Sequence, residues 1–453
     1  MEVISCWFVR KHRLLYIILV INLFWCARFM SPTYAYDSLD PNGNITIRWD
    51  VLQENEDSSK DIRISIVNYQ LFRQIEEPGW KLSWRWAGSE VIWNMFGAEA
   101  TEQGNCSVFK GRVAPHCCEK EPVIIDLLPA APYSMQVANC CRAGILTSIT
   151  QHPNKYVSAF LMHVGIADPS DAPPGMPTAF SIGVPGYTCG EAVQVLPTKF
   201  TQDQGRRTTQ AFATWNVTCS YSQFRASLAP RCCVSLSAFY NETIVKCPMC
   251  SCACQDQPKT QCAKAGESPP TMLQLSPNKL LVQCTNHMCP IMVHWHIKQS
   301  YTHYWRVKVT VTNLNYIRNY SDWYLVVLHP NFRSVEQVFS FNYKPLNVYE
   351  NINDSGVFYG IQYYNDRLLQ SGKNGNVQTE ILMHKDTDFS FKEGWGFPRK
   401  ISFNGQDCVM PSPNDYPRLP NTAGSFQSQP PASMLLLLFA IHMFLNVDRL
   451  YKM

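Results

Sequence analysis

Apolar and polar residues alternate over short stretches along most of the chain. ITIRWDV puts Ile45, Ile47, Trp49 and Val51 on one face. IRISIVNY does the same with Ile62, Ile64 and Ile66, and GWKLSWRW with Trp80, Leu82, Trp84 and Trp86. Further on, IMVHWHI alternates Ile291, Val293, Trp295 and Ile297, and VKVTVTN alternates Val307, Val309 and Val311. A period of two, broken by Gly, Pro and Asn between runs, predicts half-buried antiparallel strands. No long amphipathic helical period interrupts them outside the two ends, so the expected fold class is all-β.

The runs recur in order. ITIRWDV, ISIVNYQLF, GWKLSW and VIWNMF are answered by IMVHWHI, VTVTNLNYI, DWYLVV and QVFSFN. Trp49 pairs with Trp295, Asn68 with Asn313, Trp80 with Trp323 and Leu82 with Leu325. YSMQVANCCRAG (Tyr133–Gly144) then answers YGIQYYNDRLLQSG (Tyr359–Gly372), and AFLMHV answers EILMHK. Ordered matches at similar spacing indicate one duplicated β-sandwich module. The expected layout is a first sandwich over 36–185, a cysteine-rich segment and linker over 186–280, a second sandwich over 281–410 and a stalk over 411–421.

Two apolar runs do not fit the strand pattern. LLYIILVINLFWCA follows the basic residues Arg10, Lys11 and Arg13 and precedes small residues, so residues 1–35 read as a secretory signal and Tyr36 as the mature start. MLLLLFAIHMFL (Met434–Leu445) follows a polar spacer and the small residues at 421–423. That order is the signal for a glycosylphosphatidylinositol (GPI) anchor, with Asn421 as the attachment residue and 422–453 removed. NVDRLYKM after the run departs from the usual ending, and a short membrane helix is the alternative.

Secretion changes the reading of the cysteines. Cys6 and Cys26 lie in the leader, so 17 of the 19 remain, in a compartment where thiols pair. The vicinal pairs 117–118, 140–141 and 232–233 are expected to send each member to a different partner, since neighbours on a strand face opposite ways. CPMCSCACQ, with Cys247, Cys250, Cys252 and Cys254, reads with Cys232 and Cys233 as a disulfide cluster and not a metal site. The odd count leaves one thiol unpaired or bonded between chains. Six sequons, at Asn44, Asn105, Asn216, Asn241, Asn319 and Asn353, agree with the secretory route.

The net charge of +4 gives no nucleic-acid footprint, and charged residues are only 16% of the chain. Aromatics are 12%, with 12 Trp and 21 Tyr, a composition suited to neutral, flat-faced ligands such as sugars.

YDSLDPNGNITIRWDV, PGWKLSWRWAGSEVIWNMFGAEATEQGNCS, PHCC, QVANCCRAG, ATWNVTCSYSQF, RCCVSLSAFYNETIVKCPMCSCACQ and FNGQDCVMPSPNDYP together resemble the plant COBRA-like proteins over nearly the whole mature chain. The Cys-Cys-Val-Ser stretch at Cys232–Ser235 is that family's signature. The resemblance implies a GPI-anchored glycoprotein on the outer face of the plasma membrane and in the cell wall. It further implies a role in cellulose deposition, microfibril orientation and directional growth, with no enzymatic activity and no cofactor. VTVTNLN, DWYLVV, YYND and GWGFPRKISFNGQDC are also similar to the strand order of cellulose-binding modules. The expected partners are cellulose or a related β-glucan and, through the anchor, the outer membrane leaflet.

Three kinds of site can be weighed. His294 and His296 share a strand face with His303 nearby, but their counterparts in the first half are Arg48 and Asp50, so a solvated face is expected and no metal site. Glu90, Asp366, Asp386 and Asp388 lie near aromatic runs without the paired arrangement of a glycosidase, which leaves a wall-modifying enzyme as the alternative function. Two sets of rings are candidates for an exposed sugar platform: Trp84, Trp86 and Trp93, which differ from their counterparts in the second half, and Tyr363 and Tyr364 beside Asn365, which the resemblance to cellulose-binding modules places where those modules carry a surface Trp next to an Asn.

Overall fold

The computed structural model describes residues 37–417, apart from 38, 108, 110–112, 168–171, 203–205, 227–230, 248–259, 264–279, 284–288, 347–353, 363, 369 and 386–394. Both terminal signals, Asn421, Asn353, Tyr363 and Cys250, Cys252 and Cys254 lie outside the described residues. No helix among those described is long and apolar enough to cross a membrane.

Among the described residues the protein is almost all β, at 49% strand and 5% helix. Its first half runs β1 (Ile45–Glu54), β2 (Lys60–Asn68), β3 (Lys81–Arg85), β4 (Glu90–Phe96), β5 (Ala98–Ala100), β6 (Val123–Asp126), β7 (Val157–Ile166), β8 (Thr178–Ser181), β9 (Tyr187–Cys189), β10 (Val193–Val195), β11 (Lys199–Gln202), β12 (Arg207–Gln210) and β13 (Ala213–Tyr221). The second runs β14 (Cys232–Ala238), β15 (Tyr240–Val245), β16 (Thr260–Ala263), β17 (Leu280–Gln283), β18 (Ile291–Ser300), β19 (Tyr304–Asn313), β20 (Tyr320–Ser321), β21 (Tyr324–Leu328), β22 (Val335–Val338), β23 (Phe341–Pro345), β24 (Ser355–Gly360), β25 (Arg367–Leu368), β26 (Asn376–His384), β27 (Lys400–Phe403) and β28 (Gln406–Asp407).

The duplication is visible in the sheets. The order β13-β1-β2-β7-β4 in one module matches β14-β18-β19-β26-β22 in the other, and β5-β6-β3-β8 matches β23-β24-β21-β27. Each pair of sheets closes over its own apolar core, one built on Trp49, Ile64, Trp80 and Phe160, the other on Trp295, Val309, Trp323 and Ile381. The matched asparagines carry the same bonds. Asn68 Nδ2 donates to Arg73 O (2.8 Å) and Thr147 O (2.9 Å), and its Oδ1 accepts the Gln70 N–H. Asn313 Nδ2 donates to Arg318 O and Gln370 O, and its Oδ1 accepts the Asn315 N–H. A buried amide must find such partners, so each asparagine fixes the chain where it leaves its strand. The pairing of Tyr133 with Tyr359 does not hold. Tyr359 is on β24, whereas Tyr133 lies in the loop after β6, the place that Tyr364 occupies after β24.

The boundary also moves. Residues 186–280 are not one segment: β9, β10 and β13 complete the first module's large sheet, and β14 and β15 complete the second's. β13 is antiparallel to β1 and follows its module, whereas β14 is parallel to β18 and precedes its own. The two modules therefore fill the same edge position from opposite chain directions, which a linear comparison of the halves cannot reveal. The stalk likewise begins later than 411, since Tyr416 packs against Phe397 with ring centroids 5.6 Å apart.

The modules are joined by an apolar contact. Phe72, with Leu39 and Leu71, packs on Tyr324, Val326, Val357 and Leu346. Tyr324 Oη donates to Ser148 Oγ (2.6 Å) and accepts the Ser148 N–H (3.1 Å). Beside it Glu76 meets Arg318 at 2.7 Å and Arg231 at 3.7 Å. The contact explains a difference between the copies. The outward positions of β3 are Lys81, Ser83 and Arg85, whereas those of β21 are Tyr324, Val326 and Leu328, because the first module covers that part of the second.

Candidate glycan-binding surface

Trp84 and Trp86 do not form an exposed platform. They are 1% and 2% exposed and pack edge-on with each other and with Trp49, centroids 5.4–6.0 Å apart, over Phe180. The alternation that aligned them with Trp80 and Leu82 already placed them inward. Differing from the second copy did not free them, because core volume can be redistributed: Val327 takes the place of Trp84 where Trp295 packs with His329 and Phe332. Trp93 is half-buried, its ring edge-on to Phe109 at 5.1 Å and its Nε1 edge against Gly165. Tyr364 is 82% exposed in the turn after β24, as a stacking residue must be. Asn365 beside it is held by Ser340 O (2.6 Å), and its carbonyl accepts the Trp323 Nε1–H.

The histidines form a hydrogen-bonded row on the outer face of the second module. Ser235 Oγ lies 2.6 Å from His294 Nδ1, and Ser237 Oγ lies 2.9 Å from His294 Nε2 and 2.7 Å from His296 Nδ1. Burial, then the neighbouring His296 and Lys308, pushes the His294 pKa down to about 4. Among the described residues no group of three or more metal-binding side chains assembles. Glu90 is buried with its carboxylate accepting the Gly88 N–H at 2.7 Å, the role of a turn clamp.

A cleft of about 370 Å³ lies between the modules, lined by Arg73, Lys81, Tyr187, Tyr221, Arg231 and Arg318 among others. It offers no open ring face: Arg73 sits 4.3 Å over Tyr221, and Tyr187 meets Tyr221 edge-on.

The disulfides follow the sequence reading in part. Cys232 and Cys233 separate, to Cys408 and Cys247, and Cys189 joins Cys219. Cys247, the first cysteine of CPMCSCACQ, is therefore a disulfide cysteine. Cys140 and Cys141 bond to each other instead of to different partners, because they lie in a left-handed turn and not on a strand. Cys118 joins Cys106 and leaves Cys117 as the buried free thiol among the described cysteines. Of the sequons, Asn105 and Asn319 are exposed and Asn44 is half-buried, while Asn241 falls on β15. Asn216 is half-buried in the middle of β13, opposite Arg48.

Residues 61–222 match the family described as COBRA N-terminal domain, and residues 231–417 match the COBRA family C-terminal domain. The gap between them falls where the structure passes from one module to the other. The chain is similar to COBRA-like protein 6 of Arabidopsis thaliana, 53% identical across 91% of this chain and 94% of that protein. It is 51% identical to COBRA-like protein 3 of Oryza sativa subsp. japonica over 91% of this chain and 92% of the relative. It is 50% identical to protein COBRA of Arabidopsis thaliana over 91% and 93%.

Proposed function

The chain belongs to the COBRA family, and on that footing we propose that it is a non-catalytic glycoprotein of the cell surface that binds cell-wall glucan and assists cellulose deposition and directional growth. The observation that carries the reading is two fused sandwich modules whose outer loops present an exposed ring, Tyr364, while Glu90 is buried as a turn clamp and Asp386 and Asp388 lie outside the described residues. A ring of this kind suits the flat CH face of a pyranose. The GPI anchor at Asn421 and the sequons belong to the same proposal, and Asn216, in mid-strand, is the weakest acceptor among them.

The test is to incubate residues 37–417 with amorphous and crystalline cellulose. Depletion of protein from solution with no sugar released supports the proposal, and soluble oligosaccharide supports the wall-modifying enzyme instead. For the anchor, phosphatidylinositol-specific phospholipase C should release the full-length protein from membranes. Retention together with an epitope placed after Leu445 would establish a membrane helix in its place.

A further inference from the structure

The second module's exposed ring has a counterpart. Phe96 ends β4 and Phe339 directly follows β22, strands that occupy the same position in the two sheets. Tyr133 and Tyr364 lie in the loops that follow the matched strands β6 and β24. All four rings are open to solvent: Phe96 42%, Tyr133 90%, Phe339 48% and Tyr364 82%. In each copy the residue after the Phe is tied to the Tyr loop. Gly97 N–H donates to Met135 O (2.7 Å), and Asn365 Nδ2 donates to Ser340 O (2.6 Å). A side chain at Gly97 would collide with Val137, so the Tyr133 loop rests directly on the end of β4.

A single exposed ring needs no explanation. Two Phe–Tyr pairs at matching positions of a duplicated module do, because neither core uses them. We propose that each module carries one glycan-binding site built on its pair, Phe96 with Tyr133 and Phe339 with Tyr364, and that the protein engages neutral β-glucan bivalently. This rests on the glucan-binding reading above and names its site.

The ligand class follows from charge. LLPAAPYSMQVANCC, residues 127–141, contains no ionisable acid, lysine, arginine or histidine, and neither does GVFYGIQYYN, residues 356–365. The polar residues next to the tyrosines in sequence are Ser134 and Gln136 in one copy and Gln362 and Asn365 in the other, a hydroxyl and amides matched to sugar hydroxyls, with the charges of Asp366 and Arg367 following as an opposite pair. The first loop is also held in shape. Asp126 accepts the N–H groups of Cys141 (2.8 Å), Arg142 (2.9 Å) and Gly144 (3.0 Å), and the Cys140–Cys141 bond closes its far end. A loop ordered beforehand loses less entropy on binding.

The experiment is cellulose depletion and affinity electrophoresis in soluble β-glucan with wild type, Tyr133→Ala, Tyr364→Ala and the double variant. Each single variant should weaken binding about 5- to 140-fold, the range that stacking of about 1–3 kcal/mol per ring gives at about 1.4 kcal/mol per factor of ten. The double variant should fall to background, and Tyr133→Trp should keep binding. Thermal unfolding should not change, and Tyr133→Leu, apolar but ringless, should behave as the alanine variant does. If wild type binds and all variants bind equally, the paired sites are wrong while the glucan reading stands. If wild type binds no glucan, that reading fails and the sites with it. Preference for polygalacturonate, or ring-dependent capture by uncharged phosphatidylcholine vesicles in place of glucan, also overturns the proposal.

Discussion

Trp84 and Trp86 show how far single residues can be read. Their inward direction was legible from the period of two, and only the comparison between copies suggested otherwise. That comparison assumed that core positions keep their size after duplication, which packing does not require. Trp84→Ala should cost about 3–5 kcal/mol of stability, read from urea unfolding, since it opens a cavity among Trp49, Trp86 and Phe180. A change under about 1 kcal/mol would contradict the buried cluster. His329 and His294 set a second expectation. Burial pushes the His329 pKa down to about 3 and the His294 pKa to about 4, so both are neutral in the folded state where an unfolded histidine has begun to charge. The unfolded state then binds more protons, and stability should fall as pH drops from about 6.5 toward 4. Asp40, raised to about 6 by its own burial, runs the other way, losing stability as pH rises through that value. The test is the slope of unfolding free energy against pH, which should be shallower in His329→Asn. An unchanged slope would show that His329 titrates normally.

At the scale of elements, the strands and the repeat were legible because alternation is local, and the matched Asn68 and Asn313 anchor the same turn in both copies. The edge strands were not legible: β13 and β14 fill one position from opposite directions, and register across long separations leaves no local signal. The bond between Cys140 and Cys141 was not legible for the same reason. Whether Cys140 sits on a strand or in a turn decides its partner, and only the fold supplies that. Alkylation after denaturation without reduction should therefore label Cys117, and peptide mapping should find Cys140 and Cys141 bridged within one peptide. Label on Cys140 or Cys141, or a bond from either to a distant cysteine, would reject that pairing. Cys232→Ser, which opens the link to Cys408, should cost about 2–5 kcal/mol and reduce secretion. Normal secretion and an unchanged unfolding midpoint would show that this bridge is dispensable.

At the scale of the molecule, the two modules behave as one body only if the contact around Phe72 and Tyr324 holds. Phe72→Ser removes a buried ring from that contact and should turn one unfolding transition into two, seen by calorimetry, with each module's core intact. One unchanged transition would mean that the joint lies elsewhere. The duplicated design also makes the functional claim quantitative, because two sites on one body should hold a long chain more tightly than either alone. The most direct test is titration of residues 37–417 with cello-oligosaccharides of increasing length, each mixture chromatographed afterwards. Affinity should rise with length while every oligosaccharide is recovered uncut. No binding at any length, or shortened products, would contradict a non-catalytic glucan-binding protein.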